Sequence, residues 1–254
     1  MGSGVVAVIP ARFESTRLPG KPLLLIDDKP MIQHVYERTR AVAGIDQVLV
    51  ATDDARIAAA VRAFGGAAVM TSAAHRSGTD RIAEVAAALD AEVIVNVQGD
   101  LPFLEATMVA AVVTVMHADG ASPMATLRTP ITDATELANP NVVKVVTDRD
   151  GYALYFSRSP LPYWRDATHG ILGYRHIGLY AFRRAFLMTF ARLQPTPLER
   201  AEKLEQLRAL EWGFRIKVAE TSAAGVEVDT PQDLERARAM VAGRAERRGV
   251  AHGN

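Results

Sequence analysis

Short apolar runs alternate with longer amphipathic stretches through the first half of the chain. The runs cover residues 5–9, 46–51, 67–70 and 92–97, and each is continuously apolar rather than alternating. Strands of a parallel sheet are buried on both faces and therefore show such a continuous pattern. The four runs predict buried parallel strands.

The stretches between these runs have the spacing and the end signals of helices. Pro30 and Gly44 frame a predicted helix over 31–43, and an aspartate at 53 or 54 can cap a second helix that ends near Phe64. Two further helices are predicted over 80–89 and 105–116. Strands that alternate with helices in this way are typical of a doubly wound α/β sheet.

The middle of the chain has a different pattern. Three runs rich in β-branched and aromatic residues follow one another with short connections, at 141–147, 151–157 and 174–182. Short connections join antiparallel strands, so an antiparallel or mixed addition to the sheet is expected here.

The last third returns to the first pattern, with a predicted helix over 198–210, a strand over 214–219 and a final helix from Pro231. No low-complexity linker or repeat interrupts the chain. We therefore predict one catalytic α/β domain over 1–254, with an inserted β subregion at approximately 141–182.

Composition excludes several classes of protein. The chain has 254 residues, 49% hydrophobic, and no cysteine, which excludes a disordered chain, a disulfide scaffold and a thiolate zinc site. The 29 basic residues equal the 29 acidic ones, which argues against a nucleic-acid partner bound through a general basic field. No apolar run approaches the ~20 residues that span a bilayer, and the N-terminus has no secretory pattern. We expect a cytoplasmic protein with no membrane partner.

The loop after the first strand concentrates positive charge. Arg12, Arg17 and Lys21 lie close together with the hydroxyls of residues 15 and 16 and with Gly20. Backbone amides and cationic side chains can converge there on phosphate oxygens, although the loop matches neither a Walker A motif nor a dinucleotide fingerprint. A polar surface loop is the alternative.

Two acidic positions have the placement of Mg²⁺ ligands. Asp100 follows the strand at 92–97, and ligands bind at the carboxyl edge of such sheets. Asp229 lies just before the final helix, whose start is already explained by Thr230, Pro231 and Asp233. An ordinary turn before Pro102 is the alternative for Asp100. Ser77 or Thr79 could cap the helix at 80–89, or its start could hold a base or a phosphate.

Short motifs occur along nearly the whole chain, at 9–12, 15–23, 29–38, 51–54, 75–81, 96–100, 141–146, 153–158, 175–180, 204–208 and 228–231. Each segment alone is weak, but the ordered set is specific. It resembles the motifs of 3-deoxy-manno-octulosonate (Kdo) cytidylyltransferases, also called CMP-Kdo synthetases.

The resemblance implies a Rossmann-like nucleotide-diphospho-sugar transferase fold whose inserted β subregion mediates dimerisation. It implies that CTP and Kdo give CMP-Kdo and pyrophosphate, for lipopolysaccharide or capsule synthesis, with Mg²⁺ and a homodimer. The sugar hydroxyl attacks the α-phosphate in line, so catalysis consists mostly of positioning and charge neutralisation.

The resemblance also assigns residues. It gives Arg12 and Lys21 to the triphosphate, and Asp100 and Asp229 to Mg²⁺, and these four form the catalytic set. Cytidine is framed by the backbone of Pro10 and Ala11 and by Ser77 and Gln98. Kdo is lined by Arg17, Arg158, His176, Tyr180, Glu205 and Gln206. Simple packing remains the alternative for Tyr180, and a polar surface helix for Glu205 and Gln206.

The chain departs from the family at two places. Leu101 stands where the family usually has Glu, and the segment 164–173 is shorter than in many members, as in forms associated with capsule synthesis. We expect Asp100 to bind metal without the missing acid. A related acid sugar, such as an 8-amino Kdo analogue or another nonulosonate, and a non-catalytic nucleotide-binding relative are the alternative functions.

Overall fold

A computed structural model of the protein describes residues 4–14, 18–166, 170–223 and 225–251, with side chains up to Val241. The strands are β1 (Val5–Ala11), β2 (Leu25–Ile26), β3 (Lys29–Pro30), β4 (Gln47–Thr52), β5 (Ala68–Met70), β6 (Val93–Asn96), β7 (Met124–Ile131), β8 (Lys144–Thr147), β9 (Ala153–Ser157), β10 (Gly173–Arg183) and β11 (Ile216–Glu220).

The helices are α1 (Met31–Arg40), α2 (Ala55–Ala63), α3 (Gly78–Ala87), α4 (Ala106–Ala118), α5 (Ala134–Ala138), α6 (Arg184–Phe190), α7 (Pro197–Glu202), α8 (Gln206–Glu211) and α9 (Pro231–Ala251). A short 3-10 helix at Lys21–Leu23 follows the loop after β1. None of the helices in the described part of the chain combines the length and the apolar character that crossing a bilayer requires.

Most of the strands form one mixed sheet in the order β11-β7-β10-β6-β1-β4-β5. Strands β6, β1, β4 and β5 are parallel neighbours, as the continuous apolar runs predicted. Strand β10 runs antiparallel between β6 and β7, and the β8–β9 hairpin is attached to it through β8. The expected antiparallel addition is therefore confirmed, and β10 belongs to the main sheet as well as to the hairpin.

The sheet lies between two layers of helices. Successive residues of β1 point to opposite faces, so that Val5, Ala7 and Ile9 pack with α1, α2 and α4, while Val6 and Val8 pack with α3, α6 and α8. Both faces are buried, which explains why this strand has no polar side. A third, smaller apolar cluster joins α9 to the loop after β1 through Leu18, Met31, Val228 and Leu234.

Two elements differ from the sequence prediction. Strand β7 lies in a segment for which no strand was predicted, and it pairs with both β10 and β11. The single helix predicted over 198–210 is wrong, because Lys203 adopts a left-handed conformation with φ of 55° that separates α7 from α8. The break turns Glu205 toward α3, where it accepts a hydrogen bond from Thr79.

Candidate active site

Lys21 lies between two carboxylates that are distant in sequence. Its Nζ is 2.8 Å from Asp100 Oδ2 and 2.8 Å from Asp229 Oδ1. Asp100 follows β6, and the backbone amide of Val228 donates to the Asp100 carbonyl at 3.0 Å, which brings the start of α9 to the same sheet edge. The fold thus brings together three of the four residues of the predicted catalytic set.

The two carboxylates control the charge of this lysine. Burial disfavours the ammonium, but the attraction and hydrogen bonds of Asp100 and Asp229 outweigh it and raise the pKa of Lys21. The ammonium also shows that both carboxylates can contact a single cation.

These residues suit a magnesium ion that is partly coordinated by a nucleotide. The described residues contain no group of three or more histidine, cysteine or acidic side chains that could enclose a metal. Magnesium commonly takes one or two carboxylates and completes its shell with water and phosphate oxygens. Two convergent carboxylates beside a cationic loop are a donor set of that kind.

Leu101, the residue that replaces the family's Glu, points away from these carboxylates. It is 1% exposed and belongs to the core that α4 covers. A Cβ on Gly225 would lie 3.3 Å from the Leu101 side chain, so there is little free space around it. A glutamate at this position would bury a charge instead of reaching the metal ligands.

The end of β1 forms the floor of the predicted nucleotide site. Pro10 and Ala11 pair with Ala51 and Thr52 of β4. A Cβ on Gly99 would lie 3.1 Å from the Pro10 carbonyl oxygen, and a Cβ on Gly78 would lie 3.2 Å from the Pro10 ring. The two glycines therefore allow the loop after β6 and the start of α3 to approach β1 closely.

Arg12 lines an open cleft of about 830 Å³ beside this floor, together with residues that include Phe13, Asp53 and His75. Its Nη2 atom is buried and has no hydrogen-bond partner among the described residues. A buried guanidinium nitrogen without an acceptor is costly, and an anionic ligand would supply one.

Ser77 caps helix α3, which is one of the two roles that the sequence allowed for it. Its Oγ accepts from the Asp80 amide at 3.0 Å, and the Asp80 carboxylate accepts from the Ser77 amide at 3.2 Å. This capping box fixes the first turn of α3 beside Pro10. Gln98, the other side chain predicted to frame cytidine, donates from Nε2 to Asn96 Oδ1 at 3.4 Å.

The predicted Kdo residues of β10 and α8 form a second, more buried part of the site. Tyr180 on β10 is paired with Asn96 on β6. Asn96 lies two residues before Gln98. Glu205 accepts from Thr79, and burial raises its pKa. Glu205 Oε1 and Gln206 Nε2 are both buried without a partner among the described residues, so both are available to a polar ligand.

His176 is a neutral member of this wall. It is 8% exposed, its Nε2 lies 2.9 Å from Thr126 Oγ1, and burial lowers its pKa to about 3, with a smaller effect of Arg175. The His176 and Tyr180 rings are 5.5 Å apart, and burial raises the pKa of Tyr180. Both side chains act as neutral hydrogen-bonding groups at ordinary pH.

Arg158 lies at the end of β9 and is fixed by backbone carbonyls. Its Nε donates to Glu202 O at 2.8 Å and its Nη1 to Pro140 O at 3.0 Å. Arg17, also predicted to line the Kdo pocket, lies outside the described residues.

Sequence reasoning missed several polar residues of the site. Thr126 is on the unpredicted strand β7, and Thr79 was considered only as a cap. Glu227 is exposed, and the wholly buried Val228 separates it from Asp229, so the two acids lie on the same side of an extended segment. The alternation around Val228 is the signal that could have identified Glu227.

Comparisons with known proteins agree with this geometry. A sequence profile described as Cytidylyltransferase matches residues 6–217. The chain is 56% identical over 242 residues to 3-deoxy-manno-octulosonate cytidylyltransferase of Geobacter metallireducens, covering 91% of this chain and 95% of that protein. It is 54% identical to the protein of the same name from Syntrophotalea carbinolica, covering 94% and 99%.

Solved structures show the same relationship. A CMP:2-keto-3-deoxy-manno-octonic acid synthetase complexed with CTP superposes with a TM-score of 0.92 at 49% identity, covering 95% of this chain and all of that one. A 4-diphosphocytidyl-2C-methyl-D-erythritol synthase from Anaerococcus prevotii, 14% identical with a TM-score of 0.62, shares the fold. The expected nucleotide-diphospho-sugar transferase fold is thereby confirmed, and the chain belongs to the family of 3-deoxy-manno-octulosonate cytidylyltransferases.

Proposed function

We propose that this protein activates Kdo by transferring CMP from CTP, giving CMP-Kdo and pyrophosphate. The observation that carries the proposal is the convergence of Lys21, Asp100 and Asp229 from distant parts of the chain. The buried polar atoms of Glu205 and Gln206 that lack protein partners add groups for a polar ligand. Family membership supplies the identity of the two substrates.

The chemistry is a single displacement at the α-phosphorus. The anomeric hydroxyl oxygen of the sugar forms a bond to this phosphorus, and the bond to the oxygen bridging the α- and β-phosphates breaks. Pyrophosphate leaves, and the hydroxyl proton is released. Because no covalent enzyme intermediate is needed, the protein has to bind, align and neutralise charge.

Arg12 and Lys21 carry the positive charges assigned to the triphosphate. The unpartnered Nη2 of Arg12 and the three donors of Lys21 suit phosphate oxygens. Pro10, Ala11, Ser77 and Gln98 frame the cytidine, with the α3 N-terminus fixed by the capping box.

Asp100 and Asp229 would hold Mg²⁺, since both carboxylates already contact one cation at 2.8 Å. A magnesium ion held there would neutralise phosphate charge and lower the pKa of the attacking hydroxyl.

The sugar acid occupies the inner part of the site. Arg158, with Arg17, is assigned to its carboxylate, and neutral His176 and Tyr180 to its hydroxyls. Glu205 and Gln206 complete the wall with the polar atoms that lack protein partners. The product would serve lipopolysaccharide or capsule synthesis, and the reaction belongs in the cytoplasm, where CTP is available.

A homodimer completes the proposal. Large apolar side chains are exposed on the hairpin and in the segment that follows it, and Tyr163 is 87% exposed. The other members of this surface are Leu154, Trp164 and Ile171. Clustered exposed apolar side chains mark association surfaces, and a second copy of the chain is the occupant that the family implies.

The test is pyrophosphate release from CTP and Mg²⁺ with a panel of acid sugars: Kdo, 8-amino Kdo and N-acetylneuraminate. We expect release with Kdo, and light scattering of the same sample at twice 27.5 kDa. Release with only an amino or nonulosonate sugar would reject Kdo as substrate, and no release with any sugar would reject the enzyme.

Asp229→Asn serves as the inactive variant in this assay. It should abolish turnover and keep the native circular dichroism spectrum, because it removes a metal ligand from a half-exposed position. Asp150→Asn, at an exposed turn outside the site, is the matched control and should retain activity. Near-normal turnover of Asp229→Asn would remove Asp229 from the metal site.

A further inference from the structure

Lys144 is a wholly buried cation that the mechanism above does not use. It is 0% exposed on β8, and its Nζ donates to the carbonyl oxygens of Asn139 at 2.9 Å, Val142 at 2.6 Å and Arg158 at 2.6 Å. Three acceptors need three N–H groups, which the ammonium has and the neutral amine does not. The geometry therefore holds lysine in its charged form, although burial lowers its pKa.

Packing alone does not explain a charge at this position. The partners of the Lys144 ammonium in the described part of the chain are all backbone carbonyls, and burying a charge without a paired one is costly. A methionine would fill the same space without that cost, but it would leave three buried carbonyl oxygens without a donor. The ammonium therefore fixes the backbone at 139–142 and at Arg158, which an apolar side chain cannot do.

Lys144 and Arg158 both donate to backbone carbonyls of the loop at 139–142. Lys144 holds the Arg158 carbonyl, while the Arg158 amide donates to Glu202 Oε2 at 3.0 Å. The loop at 139–142 supplies two carbonyls to Lys144 and a third, from Pro140, to the Arg158 guanidinium. The loop at 139–142 thus fixes both cations. The main chain of Arg158 is held by Lys144 at its carbonyl and by Glu202 at its amide.

The charges of this cluster do not cancel. Lys144 and Arg158 each carry one positive charge and Glu202 one negative charge, and Glu202 is electrostatically coupled to both cations. The three groups sum to one net positive charge. A ligand with one carboxylate would neutralise it.

We propose that Lys144 is a positioning residue for the carboxylate of the sugar acid: it fixes Arg158 and leaves one unneutralised positive charge for that carboxylate. This inference rests on the proposed function, and it assigns to β8 a part in substrate recognition. Lys144 acts through Arg158 and does not touch the substrate.

The test uses two variants of different severity. Lys144→Met removes charge and donors, and Lys144→Gln keeps two donors but removes the charge, so that one folded variant is available if the other is unstable. We expect the KM for Kdo to rise about tenfold or more while the KM for CTP stays within about twofold. Lys217→Gln is the matched control, because Lys217 also donates to a backbone carbonyl, that of Asp150, outside the site; it should change neither KM.

A double variant shows whether Lys144 acts through Arg158. If it does, Arg158→Met and Lys144→Gln/Arg158→Met will have the same KM for Kdo, because the second change has nothing left to position. Independent, multiplicative effects would overturn the proposal, as would an unchanged KM for Kdo in folded Lys144→Gln. Turnover of Kdo by the wild-type protein is measured alongside, so that failure of the proposed function is recognised separately.

Discussion

His176, which is proposed to line the sugar-acid pocket, is a buried neutral imidazole. Its burial among aromatic rings, with Phe156 at a centroid distance of 4.9 Å, disfavours the charged form and lowers its pKa to about 3. A histidine with this pKa does not change charge near neutral pH. It therefore serves as a hydrogen-bonding group and not as the base for the attacking hydroxyl.

The same pKa makes His176 a source of acid sensitivity. The unfolded chain binds a proton at this histidine near pH 6.5, while the folded chain does so only near 3. Between these values the unfolded state binds more protons, so stability falls as pH falls, by at most about 1.4 kcal/mol per pH unit.

The measurement is urea unfolding at pH 7, 6 and 5 for the wild-type protein and for His176→Gln. The wild-type protein should lose more unfolding free energy between pH 7 and 5 than the variant does. Parallel pH dependences for the two proteins would show that folding does not lower the pKa of His176.

At the scale of elements, the start of α3 has a structural role beside the substrate role proposed for it. Ser77 Oγ caps the helix by accepting from the Asp80 amide. The sequence suggested both roles for Ser77, and the structure demonstrates the cap.

Two substitutions separate these roles. Ser77→Ala should lower the unfolding free energy by about 1 kcal/mol, whereas Ser77→Asn retains an acceptor and should be close to wild type in stability. Both lack the hydroxyl, so both should raise the KM for CTP several-fold. A normal KM for CTP in Ser77→Asn would leave Ser77 as a cap alone.

The elements that the sequence predicted well are those with one dominant signal. The strands β1, β4 and β6 are buried on both faces, and their apolar runs have no other explanation. Strand β7 was missed because its second half contains Arg128, Thr129 and Pro130, which are only half-buried. The break between α7 and α8 was missed because Lys203, a residue with no preference for left-handed backbone, adopts that conformation there.

For the whole molecule, candidate site residues that directly follow a strand were easier to predict than residues that only the three-dimensional packing brings together. Arg12 and Asp100 were predicted as site residues because the carboxyl edge of a parallel sheet is a general binding position. The contact of Thr126 with His176 joins residues 50 apart, and that of Thr79 with Glu205 joins residues 126 apart. These contacts depend on the order of strands and the packing of helices, which local patterns do not specify.

The bridge from Lys21 to Asp100 and Asp229 is also a contact of the whole molecule, since it spans 79 and 208 residues. It occupies the carboxylates that a divalent cation would need. Lys21→Met should therefore bind Mn²⁺ more tightly than the wild-type protein in the absence of nucleotide, as measured by calorimetry. Equal Mn²⁺ affinity of the two proteins would show that the lysine does not compete with the metal.

Under the proposed function, competition between Lys21 and the metal would couple the binding of CTP to the binding of the cation. Phosphate oxygens of CTP would replace the two carboxylates as partners of Lys21, and the carboxylates would then be available to the cation. By thermodynamic reciprocity, the factor by which CTP tightens the cation would equal the factor by which the cation tightens CTP. Without nucleotide, Lys21 would thus be an internal counter-ion that excludes free divalent cations from Asp100 and Asp229.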